Sequence, residues 1–271
     1  MNISLENKTA IVCGSTQGIG KACAMELAGL GAEIILIARD SEKLKAVLSE
    51  LPDKMEQNHR FLVADFSKPE ELKTNVLRFL EEYQKPVHIL INNTGGPAAG
   101  KISEAVEEQF LNTFNAHLIC NHILAMAVIP GMKLAEYGRI INIISTSVKT
   151  PLPNLGVSNT IRAAVANWAK TLAGEVGQFN ITVNNVLPGA TKTERLNAII
   201  QNNATKNSAK PEEVEQKMME EIPMKRFGEA NEVANAVAFL CSPAAGYING
   251  INLPVDGGLS LIHISEPTRP Y

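Results

Sequence analysis

Short aliphatic runs alternate with helix-periodic segments along almost the whole chain, and this alternation constrains the fold more than any other feature of the sequence. The apolar runs are Thr9–Cys13, Glu33–Ala38, Phe61–Ala64, Val87–Ile91, Arg139–Ile144, Ile181–Leu187 and Ile251–Val255. Between them, helical patterns cover about Ile19–Leu30, Ser41–Leu51, Pro69–Tyr83, Ser103–Leu134, Leu155–Val176 and Glu229–Cys241. Ile161, Val165, Trp168, Leu172 and Val176 fall three or four apart, which makes one continuous helical face. Strands this rich in Ile and Val suit a sheet covered on both sides, so the pattern predicts a doubly wound α/β fold: seven parallel strands with helices on both faces.

The length of 271 residues suits one such sheet, and no linker divides it, so residues 1–258 read as a single domain. A formal charge of -3 gives no electrostatic footprint for nucleic acid. The amino terminus shows no leader pattern and no unbroken apolar run reaches the roughly 20 residues of a membrane span, so the expectation is a cytoplasmic protein with no membrane partner. Cys13, Cys23, Cys120 and Cys241 are widely spaced, without the pairing of a zinc site. They read as buried, reduced side chains, and no metal is expected. From Leu259 the chain reads Leu-Ser-Leu-Ile-His-Ile-Ser-Glu-Pro-Thr-Arg, the translation of a sequencing-library transposase adapter. Residues 259–271 are therefore expected to be non-native and stand outside the fold argument.

The turn after the first strand, Gly14-Ser15-Thr16-Gln17-Gly18-Ile19-Gly20, opens the first helix. Its glycines permit a tight turn and close backbone approach, and the helix start offers unpaired N–H groups to a pyrophosphate. This is the Rossmann arrangement for a dinucleotide. Where NAD sites place an acidic residue to bind the ribose, this chain has Ala38 followed by Arg39, with Asp40 one position late. A guanidinium suits a 2′-phosphate, so NADP(H) is favoured over NAD(H).

With these residues stand Asp65-Phe66 after the third strand, Asn92-Asn93-Thr94-Gly95 after the fourth, Pro188-Gly189 with Thr191 and Thr193 after the sixth, and Val255-Asp256-Gly257-Gly258. Over roughly Leu5–Gly258 the chain resembles the classical short-chain dehydrogenase/reductases, in particular the 3-oxoacyl-acyl-carrier-protein reductase branch. The resemblance implies that Asp65 and Phe66 contact the adenine side, Asn93 and Gly95 the adenosine, and Pro188–Thr193 the nicotinamide and pyrophosphate. Cys13 and Thr94 stand where the family usually has threonine and alanine.

The family's asparagine, serine, tyrosine and lysine are not all present. Ser145 occupies the serine position, while gapless counting puts Ser158 at the tyrosine, Arg162 at the lysine and His117 at the asparagine. No tyrosine occurs between Tyr137 and Tyr247. An aliphatic hydroxyl is a far weaker acid than a phenol of pKa about 10, whereas Arg162 keeps a positive charge for the nicotinamide ribose. His117 is expected to titrate near neutrality and to be able to relay a proton. Two readings follow. One is a reductase in which Ser145 and Ser158 polarise a carbonyl, Arg162 anchors the cofactor, and water or His117 supplies the proton. The other is a dinucleotide-binding protein with little turnover, acting as a sensor or partner subunit. The substrate class is a small carbonyl compound or acyl thioester. The polar stretch 193–223 reads as a mobile substrate lid. A homo-oligomer, by resemblance a tetramer, is expected through small residues including Ala125, Ala127, Ala163, Ala164, Ala166 and Ala169.

Overall fold

The structure is a computed structural model that describes Met1–Ser260. Residues 261–271, and with them most of the adapter-like segment, lie outside the described residues. The seven strands are β1 (Thr9–Cys13), β2 (Glu33–Ala38), β3 (Arg60–Val63), β4 (Ile89–Asn92), β5 (Gly138–Ile143), β6 (Ile181–Pro188) and β7 (Asn252–Val255). They form one sheet in the order β3-β2-β1-β4-β5-β6-β7, all pairs parallel. The order reverses between β1 and β4, and the crevice beyond the carboxyl ends of these two strands is where such sheets bind ligands.

Both faces are covered. Val12, Ile34 and Leu36 pack with Leu27 and Val237 on one side, while Ile11, Ile35 and Ile37 pack with Leu124 and Leu172 on the other. Neighbours in one strand thus serve opposite layers, which is why these runs show no polar alternation. Each such aliphatic side chain contributes about 1.5–3 kcal/mol on burial. The helices are α1 (Gly18–Gly29), α2 (Ser41–Glu50), α3 (Pro69–Tyr83), α4 (Glu107–Phe114), α5 (Cys120–Leu134), α6 (Gly156–Val176), α7 (Glu194–Asn207), α8 (Pro211–Glu221) and α9 (Ala230–Cys241). All four cysteines are buried thiols.

The sheet also contains a polar device within its apolar core. Asn92 Nδ2 donates to Asn142 Oδ1 at 2.9 Å, Asn142 Nδ2 to Asn185 Oδ1 at 2.9 Å, and Asn185 Nδ2 to Asn252 Oδ1 at 2.8 Å. These four residues are register partners on β4, β5, β6 and β7, so the amides form a ladder across four adjacent strands. Each internal amide satisfies its neighbour, which is what makes burying them tolerable.

Two features bear on the membrane and oligomer expectations. The span Glu107–Leu134 is helical throughout, α4 and α5 being joined by a π-helical turn at Asn115–Ile119. It is long and apolar enough to cross a membrane by length and composition, although no unbroken apolar run is. Here its apolar side lies against the sheet, with Leu124, Ala125 and Val128 in the core. Second, Ala125, Ala166 and Ala169 are buried within the monomer, whereas Ala163 is exposed and Ala127 and Ala164 are half-buried. The small size of the buried three lets α5 and α6 approach the sheet, so those three are not free to pair with another chain. The exposed large apolar residues of α4 and α5 are Leu111, Phe114, Met126 and, at the end of α5, Leu134.

The stretch after β6 folds into α7 and α8, anchored by the small cluster Leu196, Ile200, Ile222 and Phe227. No residue of α8 is fully buried.

Candidate active site

The turn between β1 and α1 has the shape the glycines foretell. Gly14 has φ +58°, and a Cβ there would lie 2.5 Å from the Asn93 carbonyl oxygen. A Cβ on Gly20 would strike the Gly14 carbonyl oxygen and come within 2.7 Å of Asn93 Nδ2. That amide holds the turn closed, donating to the carbonyls of Cys13 at 3.2 Å and Gly14 at 3.3 Å. Asn93 thus shapes the turn, a role the sequence did not suggest for it. Ser15 is buried, Thr16 and Ile19 are half-buried, and Gln17 is exposed at the start of α1 without capping it. The first turn of α1 therefore has no side-chain acceptor, whereas α2 is capped by Asp40 and α7 by Thr193. An uncapped helix start beside a glycine turn fits a phosphate group.

At the end of β2, Arg39 is exposed and makes no hydrogen bond or ion pair among the described residues. Asp40 is committed locally, accepting from Lys43 N at 3.0 Å, which explains its late position. Asp65 accepts from Ser67 N at 2.9 Å, and that bond chiefly, with lesser help from Arg39, holds its carboxyl below the usual range. Arg39 and Asp65 thus share one end of the crevice, with Phe66 half-buried beside Asp65. At the other side Thr193 leans over the glycine turn, its Cγ2 placed 3.2 Å from where a Gly18 Cβ would be. Gly189 N donates to Val255 O, and a Cβ on Gly189 would meet Asp256 at 2.8 Å, so the closing Val255-Asp256 segment backs the Pro188-Gly189 turn. Thr191 is buried, its hydroxyl donating to Gly189 O. Gly95 is exposed on the loop after β4.

The departures from the family's catalytic set come together beyond β4 and β5. Ser145 stands two residues past the end of β5, and its Oγ accepts from Ser147 N at 3.1 Å, which leaves its own O–H free to donate. Ser158 and Arg162 lie one turn apart on α6, both largely buried. The Ser158 hydroxyl has no hydrogen-bond partner among the described residues. Arg162 Nη1 donates to Ile143 O at 2.7 Å, and its other N–H groups have no acceptor among the described residues. Burial first and Arg195 second lower this guanidinium to about 10, so it stays charged at neutral pH.

His117 sits in the π-helical turn, a local widening common at functional sites. Its Nδ1 lies 2.7 Å from Thr94 Oγ1. Burial above all, then the charge of Arg162 and more weakly that of Arg195, hold the imidazole well below 6.5, opposed only by a backbone hydrogen bond to Gly95. The expectation that His117 titrates near neutrality is therefore corrected: it is a neutral imidazole at pH 7 and a poor proton source. Arg195, which no sequence pattern singled out, reaches from α7 to the loop after β4. Its Nη1 donates to Gly96 O at 2.9 Å and its Nη2 to Pro97 O at 3.2 Å. Among the described residues no cluster could hold a metal ion.

The Enoyl-(Acyl carrier protein) reductase family profile matches residues 14–260. The chain is 30% identical to the NADPH-dependent reductase BacG of Bacillus subtilis, over 94% of this chain and 98% of the relative. It is 32% identical to the 3-oxoacyl-[acyl-carrier-protein] reductase FabG of Pseudomonas aeruginosa, over 95% and 99%. Among solved structures, the L-sorbose reductase of Gluconobacter frateurii, complexed with NADPH and L-sorbose, superposes with a TM-score of 0.89 at 31% identity, covering 97% of this chain and 100% of that one. The chain belongs to the classical short-chain dehydrogenase/reductase family of oxidoreductases, in its 3-oxoacyl-acyl-carrier-protein reductase-like branch.

Proposed function

We propose that this protein transfers a hydride between a nicotinamide dinucleotide and the carbonyl or alcohol carbon of a small molecule, and that it prefers NADP(H) to NAD(H). The observation that carries the preference is Arg39, exposed and unpartnered where an acidic residue would favour NAD. The relatives support use of the phosphorylated cofactor, since BacG is named as NADPH-dependent and the sorbose reductase was solved with NADPH. A 3-oxoacyl reductase from Brucella melitensis was solved with NADH, so the preference rests on Arg39 itself.

In this reading the backbone of Gly14–Gly20 and the start of α1 receive the pyrophosphate. Arg39 pairs with the 2′-phosphate, while Asp65, Phe66, Asn93 and Gly95 border the adenosine. Pro188, Gly189, Thr191 and Thr193 border the nicotinamide end. When bound, the cofactor supplies or accepts the hydride. Ser145 donates its free O–H to the substrate oxygen, and Ser158 adds a second hydroxyl from α6. Arg162 holds the nicotinamide ribose and leaves positive charge beside the developing alkoxide. With His117 neutral and no tyrosine at position 158, water delivers the proton.

The single domain, 1–258, carries α7 and α8 as a lid over residues 193–223, which their sparse burial supports. Leu111, Phe114 and Met126 support pairing of α4 and α5 with further copies, in a tetramer by analogy with the family. We place the protein in the cytoplasm without a membrane partner, because the apolar side of Glu107–Leu134 is used against its own sheet.

The test is purified protein given NADPH and a panel of ketones and 3-oxoacyl thioesters. Consumption above blank is expected. Tight NADPH binding with no consumption would favour a sensor or partner subunit instead.

A further inference from the structure

We propose that Arg195, with Arg162 behind it, is a receptor for an oxyanion on the substrate, so that this site takes carbonyl compounds bearing a carboxylate near the reacting carbon. The proposal rests on the hydride-transfer reading above and adds the substrate class.

Arg195 is the second residue of α7, yet its guanidinium lies across the cleft on the loop after β4, bonded to the carbonyls of Gly96 and Pro97. The fit is close: a Cβ on Gly96 would lie 2.6 Å from Arg195 Nη2 and 2.8 Å from its Cζ, so glycine makes room for the guanidinium. Two neutral carbonyls orient the group and leave its charge uncompensated. Arg162 is bonded to one carbonyl only, that of Ile143. Among the described residues neither arginine has a carboxylate within 4.0 Å. Arg162 is buried, whereas Arg195 is exposed to solvent, yet its charge is felt at both Arg162 and His117.

Like charges repel, and an anion that pairs with the exposed Arg195 lessens its effect on the buried Arg162. A guanidinium pinned by carbonyls also presents its remaining N–H groups in a fixed plane, the geometry that carboxylates accept. The cofactor's own diphosphate is an oxyanion too, but the glycine turn and uncapped α1 already receive it. Arg195 instead lies on the Thr94–Pro97 loop, whose Thr94 and Gly95 hold His117.

The test compares acetoacetate, 2-oxobutyrate and 2-oxoglutarate, each against its methyl ester, in NADPH oxidation by wild type, Arg195→Gln and Arg195→Lys. For at least one pair the acid should exceed the ester roughly tenfold in kcat/KM, a charge-assisted bond being worth about that much. Arg195→Gln should erase this ratio through KM, and Arg195→Lys should keep part of it. NADPH affinity by calorimetry should move less than about threefold, as expected of a group that does not touch the cofactor. Equal rates for acid and ester in every pair would overturn the proposal. So would weaker NADPH binding in Arg195→Gln with an unchanged acid-to-ester ratio, which assigns the guanidinium to the cofactor's diphosphate. If nothing is reduced, calorimetry of the NADP⁺-loaded protein decides: acid-selective binding lost in Arg195→Gln upholds the receptor while the hydride-transfer reading fails, and no acid-selective binding overturns both.

Discussion

Thr94 Oγ1 and His117 Nδ1 lie 2.7 Å apart, joining two positions at which this chain departs from its family's usual residues. The histidine is buried, so its ring nitrogen needs a partner, and the hydroxyl that alanine would lack provides one. Thr94→Val keeps the shape and removes the partner. Urea unfolding should show a loss of about 1–3 kcal/mol, the cost of a buried polar atom left unsatisfied. Thr94→Ala combined with His117→Asn should cost less than the two single changes summed, because the pair acts together.

Gly20→Ala should abolish dinucleotide binding. The added methyl meets the Gly14 carbonyl oxygen and Asn93 Nδ2, both fixed by the turn's own hydrogen bonds. Overpacking of this kind costs about 1–3 kcal/mol or more. Calorimetry should find no NADPH heat, and Gly29→Ala, where nothing lies within 4 Å, should bind normally.

Arg39→Ala should narrow the difference between NADPH and NADH affinity by roughly tenfold, the worth of one charge-assisted contact of about 1.5–3 kcal/mol at an exposed site. The change should fall on NADPH and leave NADH nearly untouched. Equal affinities of the wild-type protein for the two cofactors would refute the preference.

Stability should fall between pH 7 and pH 5. His88 accepts from Thr9 N at 3.0 Å through Nδ1, which requires the neutral ring. Burial first and Lys8 second lower it from 6.5 to about 4. In the unfolded chain it gains a proton near 6.5, so the unfolded state binds more protons between these values. The contribution is complete above about pH 6.5 and is lost as the pH falls towards 4, about 2 kcal/mol of it by pH 5. His117 acts in the same direction. Urea midpoints across this range should slope less steeply in His88→Gln.

Ser158→Tyr with Arg162→Lys restores the phenol and ammonium one helical turn apart, as in the family. Reductase turnover with NADPH should rise, since a phenol lowered by a neighbouring cation exchanges protons far better than a serine. A double variant that folds and binds NADPH with unchanged turnover would show that proton transfer does not limit this enzyme.

Strand existence was legible because burial on both faces leaves a local mark, the aliphatic runs of β1 and β2. The Gly14–Gly20 turn was legible for the same reason, since backbone geometry is a property of neighbouring residues. Boundaries moved where partners decide them: β4 begins at Ile89 because its ladder on β1 starts at Ala10, not at Val87 where the apolar run begins. The asparagine ladder left a partial signal, an amide recurring within otherwise apolar strands at Asn92, Asn142 and Asn185, but only sheet register could align the four. Ser145, Ser158 and Arg162 could be placed by counting, whereas the neutrality of His117 could not, because burial and nearby guanidinium charge are set by tertiary packing. Arg195 left no mark at all: it meets Gly96 from a position 99 residues away, a distance that local periodicity does not span and that only the folded sheet closes.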